Sequence, residues 1–238
     1  MADWSGLAGE LTTLLRLEAP PIGITFSSEA PAGVDPFDEP IADPTSDGRT
    51  GRVPAGCVFW MKGADRTFTT VAADHGNCSV GSLTHGLIDL AEAAGRADVA
   101  ALIEAGWVTP DIFPQIPTIS SRPSHITYGP LAETPVDPTV VFLRVDAKQL
   151  MTISDAVPNL RVEGKPQCHI IPIAAEQGRV AASVGCALSR VRTGMKPHEM
   201  TCAIPADELE GFVGALRRTV GADSTVATYA GEDKRRFA

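Results

Sequence analysis

Basic charge is scarce in this chain: 20 Lys and Arg stand against 29 Asp and Glu, a formal net charge of −9 over 238 residues. A surface of that sign repels phosphate backbones, and no basic stripe with interleaved aromatics offsets it, so nucleic acid is not an expected partner. Apolar runs of about 18 residues, the length that spans a bilayer, are missing, and no membrane partner is expected either. The opening stretch MADWSGLAGELTTLLRLEAPP has neither the basic start nor the apolar run of a signal peptide. A cytoplasmic location follows as the expectation, with the five cysteines reduced rather than paired in disulfides. Aromatics make up only 5% of the chain. Val, Leu, Ile and Ala must therefore fill the core, and an apolar share of 44% is enough for them to do so. Several motifs are also missing. No P-loop, G-x-S-x-G, H-E-x-x-H or EF-hand pattern occurs, and GRVAASVG does not satisfy the dinucleotide fingerprint. The common hydrolase, kinase and Rossmann dehydrogenase classes lack support.

What is present reads as an alternation of short strands and helices. Leu7, Leu11, Leu14 and Leu15 recur at helical spacing behind a cap at Asp3 or Ser5, and Pro20-Pro21 stops the helix. Ile22–Phe26 and Thr67–Val71 read as strands, and Thr139–Val145 as the clearest buried strand. Leu83, Leu87, Leu90 and Ala94 mark one helix that starts near Ser79, Asp98–Ala105 a second, and Asp146 caps a third. Arg179–Val184 and Met200–Ile204 add strands, and a last helix from Pro205 buries Leu209, Phe212, Val213 and Leu216. The expected architecture is α/β or α+β, a single mixed sheet flanked by helices with long Pro-rich loops. The chain reads as one domain over 1–238, with long loops at 27–56 and 107–138 and a polar tail at 222–238.

The chemistry-bearing residues are cysteines. Cys57, Cys78, Cys168 and Cys186 each lie beside a glycine or a turn signal, where backbone can approach a bound group closely. Cys202 differs: within MTCAI it reads as a small buried hydrophobe. The spacings are C-x20-C, then 89 residues, then C-x17-C, and none is the short pair of a zinc ribbon. Spacing alone leaves separate core thiols as the plainer interpretation.

The segments GCVFW, DHGNCSVGSLTHG, GKPQCHIIPIA and SVGCALSRVRTGM resemble the domain-of-unknown-function 169 family, from about Leu11 to Leu216. The resemblance implies that cysteines recur at the positions of Cys57, Cys78, Cys168 and Cys186, followed by an arginine at Arg190 or Arg192. It also implies iron–sulfur chemistry, since many members come from anaerobes and methanogens. It carries no settled activity. With it, the four thiols are expected at one shared site, as ligands of an iron–sulfur cluster or, as the alternative, of Zn²⁺.

Around these cysteines, His75 shares a turn with Cys78, while His85 and His169 lie close by in sequence; one of them is a candidate ligand or proton carrier. Arg190, Arg192, Lys165 and Lys196 are candidates for binding a small anion. Two functions follow as expectations. One is a metal- or cluster-dependent enzyme, an oxidoreductase or lyase, that reduces a small anionic organic substrate or eliminates a group from it, with His75, Arg190 and Arg192 as catalytic residues. The other is a non-catalytic ligand-binding or redox-sensing protein with a structural metal site, in which loop 27–56 meets a partner. A homodimer is compatible with either.

Overall fold

The computed structural model describes residues 2–38, 56–164 and 166–237, with only the backbone of Arg192, Glu232 and Phe237. The strands among these residues are β1 (Ile22–Ser27), β2 (Phe68–Thr70), β3 (His125–Pro130), β4 (Val140–Val145), β5 (Arg161–Glu163), β6 (Ala181–Ser183) and β7 (Met200–Pro205). They form one sheet in the order β2-β3-β1-β4-β7-β6-β5. Every neighbouring pair is antiparallel except β5 and β6, which run parallel. The helices are α1 (Trp4–Leu15), α2 (Cys57–Lys62), α3 (Ser79–Thr84), α4 (Leu90–Ala94), α5 (Ala97–Glu104), α6 (Ala147–Ala156), α7 (Ile170–Gln177), α8 (Ala187–Thr193) and α9 (Leu209–Phe237). The mixed α/β architecture expected from the sequence is the one found.

Strand β4 shows why the sheet is covered on both faces. Its run VVFLRV is almost entirely apolar because alternate side chains enter different cores. Val141, Leu143 and Val145 pack with Leu11, Ile153, Phe212 and Leu216, on the face lined by α1, α6 and α9. Val140 and Phe142 pack with Phe59, Trp60, Ile170 and Ile171 on the opposite face, beneath α2 and α7. Strand β7 repeats the alternation: Cys202 and Ile204 join the first core and Ala203 the second. Cys202 is fully buried, as MTCAI implied, and lies across the sheet from the core that holds Cys57 and Cys168.

Local signals set most boundaries. Asp3 caps α1 by accepting from Gly6 N at 2.9 Å, and Arg16 closes it in the left-handed region. Asp146 and Gln149 form a reciprocal capping box on α6, at 2.8 and 2.7 Å. The single helix expected over Leu83–Ala94 is instead two, α3 and α4. Gly86 separates them at φ +71°, and a side chain there would collide with the Ile119 carbonyl. The polar tail expected at 222–238 is helical through Phe237, continuing α9. Most of the expected loop 27–56 lies outside the described residues. Among the described residues no helix is long and apolar enough to cross a membrane.

Candidate metal centre

Each of the four cysteines stands at the start of a helix. Cys57 opens α2 behind Gly56, Cys78 is the N-cap of α3, and Cys186 is the N-cap of α8. Cys168 sits in the single 3₁₀ turn Gln167–His169 that runs into α7. Helix starts carry backbone N–H groups without intrahelical acceptors, and sulfur can take one of them. Cys78 Sγ accepts from Gly81 N at 3.4 Å. A side chain on Gly81 would come within 3.2 Å of that sulfur, so the glycine permits the close approach. These turns are the same glycine-rich surroundings that set the four cysteines apart in the sequence.

The four thiols line one cavity of about 40 Å³. Trp60, Val80, Leu102, Trp107 and Leu188 give it a largely apolar wall, and His85, Asp98, Gln167 and Ser189 also line it. A single buried water needs about 10–15 Å³ measured the same way, so the space suits a group of several atoms. Among the described residues no three His, Cys, Asp or Glu side chains are arranged to hold a metal ion. One tetrahedral zinc would draw its sulfurs to within about 3.8 Å of one another, because each Zn–S bond is about 2.3 Å. A cluster spreads its thiolates wider, since each binds a different iron.

Electrostatics point the same way. Burial pushes the Cys57 thiol well above its ordinary range, and the neighbouring Cys78, Cys168 and Cys186 push it further. Burial likewise raises Cys168, with Cys78 and Cys186 adding to the effect. Neighbouring buried thiols do not ionise together unless a cation compensates their charge. Among the described residues nine buried side-chain polar atoms have no hydrogen-bond partner, and three of them lie near the thiols: Trp60 Nε1, the Tyr128 hydroxyl and His85 Nε2. Trp60 and His85 line the cavity, and the Tyr128 hydroxyl feels the charge of Cys57 and Cys168. Buried polar groups are rarely orphaned, and the sulfides of a cluster would accept from the indole N–H and the phenol. The residues present therefore fit an iron–sulfur cluster.

The remaining sequence candidates lie around this cavity in different ways. His75 is buried behind its wall, with its ring 4.7 Å from that of Phe59 and Nε2 3.0 Å from Thr70 Oγ1. Thr70 Oγ1 already donates to Ile126 O at 3.1 Å, so His75 Nε2–H is the donor between the two. A side chain on Gly56 would reach to 3.0 Å of His75 Nδ1, so this ring backs the turn that carries Cys57. Burial, and then the nearby His85, hold His75 well below the ordinary histidine range. His85 does line the cavity. Its Nδ1 lies 2.7 Å from Gly81 O, which can only accept, so Nδ1 carries the proton. Burial lowers its pKa to about 4, leaving the ring neutral. His169 does not line the cavity, and burial holds it at about 4 as well.

Arg190 points at main chain. It donates to Val184 O at 3.2 Å, to Cys186 O at 3.5 Å, to Gln167 Oε1 at 3.3 Å and to Glu199 O. Gly185, at φ +116°, has no room for a side chain because the guanidinium lies against it. Arg190 thus ties down the loop that presents Cys186. Lys196 pairs with Glu18 at 2.6 Å and is not part of the cavity lining. Lys165 and the Arg192 side chain lie outside the described residues. Asp98 carried no sequence signal, yet it anchors the start of α3 by accepting from Ser79 N at 3.0 Å and Ser79 Oγ at 2.5 Å. It reaches that turn from α5, so only the tertiary fold could have paired them.

A family model described as "Uncharacterised ArCR, COG2043", the domain-of-unknown-function 169 family, matches residues 10–215. The chain belongs to that family. No curated protein and no solved structure matches it.

Proposed function

We propose that the chain is a cysteine-ligated iron–sulfur protein of the cytoplasm, with Cys57, Cys78, Cys168 and Cys186 as the cluster donors. One observation supports this reading: four cysteines from four separate helix starts line a single, largely apolar cavity. When bound, the cluster supplies one-electron chemistry. The chain's own residues hold the thiolates, exclude water through Trp60, Trp107 and Leu102, and offer the indole N–H and the phenol as hydrogen-bond donors. Enclosure by four thiolates favours electron transfer or redox sensing over catalysis, because no iron is left open to substrate.

The enzymatic reading, reduction of or elimination from a small organic anion, calls for a free cation beside the cluster. Among the described residues Arg190 is engaged on carbonyls and Lys196 on Glu18, which favours the non-catalytic reading. The test is purification of the full chain without oxygen, followed by iron, zinc and acid-labile sulfide analysis. Iron and sulfide in near-equal amounts, lost when Cys→Ala is made at two of the four positions together, support the proposal. Zinc without sulfide, or no metal at all, contradicts it.

A further inference from the structure

Four thiols are not the full set of donors at this cavity. His85 is only 1% exposed, lines the cavity, and its Nε2 has no hydrogen-bond partner among the described residues. The other ring nitrogen is already committed: Nδ1–H donates to Gly81 O, one turn back in α3, at 2.7 Å. That bond fixes both the tautomer and the ring plane, and it leaves an unprotonated lone pair on the far edge of the imidazole. A histidine that binds a metal nearly always donates its second N–H to a carbonyl or carboxylate in this manner. The same Gly81 serves two donors at once, since its N–H goes to Cys78 Sγ and its carbonyl receives His85. Gly86, in the left-handed region, then turns the chain away immediately after His85.

A buried imidazole whose lone pair meets nothing loses its hydration without compensation, which costs on folding unless something occupies the cavity. Among the described residues Trp60 Nε1 and the Tyr128 hydroxyl lack partners too, but both can donate to sulfur; His85 Nε2 can only accept or coordinate. We infer that His85 Nε2 is a direct ligand to iron, so that the centre has mixed imidazole and thiolate ligation. This rests on the iron–sulfur reading above and adds a fifth donor to it. Five donors for a cluster with four terminal positions leave one cysteine exchangeable with the histidine.

Pulsed electron paramagnetic resonance of the dithionite-reduced full-length protein tests this assignment. A strongly coupled nitrogen is expected, and ¹⁵N-histidine labelling of the otherwise unlabelled wild type should shift it. His85→Ala should abolish the coupling while circular dichroism and sulfide content report whether the variant has folded and kept a cluster. The labelling needs no variant, so a misfolded His85→Ala does not spoil the test. A cluster with only the weak coupling of peptide N–H groups overturns the inference and leaves the iron–sulfur reading standing. Protein that binds no iron overturns both.

Discussion

Burial raises the Cys57 and Cys168 thiols, and the neighbouring cysteines push both further, which sets these two apart from Cys202. Burial alone raises Cys202, to about 12, and no other cysteine adds to the effect. Cys202→Ala should therefore keep full iron content and cost on the order of 1 kcal/mol of stability, measured by denaturant unfolding. Alanine at two of the other four cysteines together should lower iron and sulfide content. The buried histidines give a second expectation. His75 and His85 stay neutral in the folded protein at pH values where the unfolded chain takes up protons. Their contribution is whole above the ordinary histidine value and is lost as pH falls below it, for His85 toward about 4. Each adds a slope of up to about 1.4 kcal/mol per pH unit. Unfolding curves between neutral pH and pH 5 should show this decline, and His75→Gln should flatten it by one proton's worth. An unchanged slope in the variant would show that His75 titrates freely. Glycine and turn residues set the four cysteines apart from Cys202 in the sequence, but it was the family resemblance that grouped them into one candidate site. His85 was harder to separate from His75, because the distinction lies in which ring reaches the cavity, and only packing decides that.

At the scale of elements, boundaries with a local cause were readable and those with a distant cause were not. The Asp146 cap on α6 depends on residues three apart, and the apolar run of β4 reports burial on both faces; both could be seen in the sequence. Asp146→Ala should lower stability by about 1 kcal/mol without altering metal content. The break between α3 and α4 depends on Ile119 approaching Gly86 from a separate segment, and the periodicity of Leu83, Leu87 and Leu90 hid it. Asp98 was invisible for the same reason. The loop before α8 is held by the Arg190 guanidinium rather than by any regular element. Arg190→Ala removes several charge-assisted bonds to carbonyls and should cost roughly 2 kcal/mol. Its diagnostic effect is faster loss of iron to a chelator, even though Arg190 is not a proposed ligand; retention equal to wild type would deny it this positioning role.

Across the whole molecule, one sheet separates two cores, with Cys202 in one and Cys57 and Cys168 in the other, while a smaller cluster packs around α3 and α5. The face under α1, α6 and α9 is ordinary hydrophobic packing. The other face carries α2, α7 and the cysteine cavity, whose four cysteines come from segments as far apart in sequence as Cys57 and Cys186. A centre bound there staples the turns before α2, α3, α7 and α8 together, so binding and folding are coupled. The spacing of the cysteines could not reveal their convergence, because ligands joined by a β-sheet crossover leave no short motif. Most of α9 beyond Leu216 is exposed, and the family match ends at residue 215. Deleting residues 222–238 should leave iron content unchanged and stability within about 1 kcal/mol of the full chain. The most direct test of the central claim is anomalous diffraction at the iron edge from crystals grown without oxygen. A multi-iron peak enclosed by Cys57, Cys78, Cys168 and Cys186 is the predicted result. An empty cavity, or a lone metal ion bound elsewhere on the chain, would contradict it.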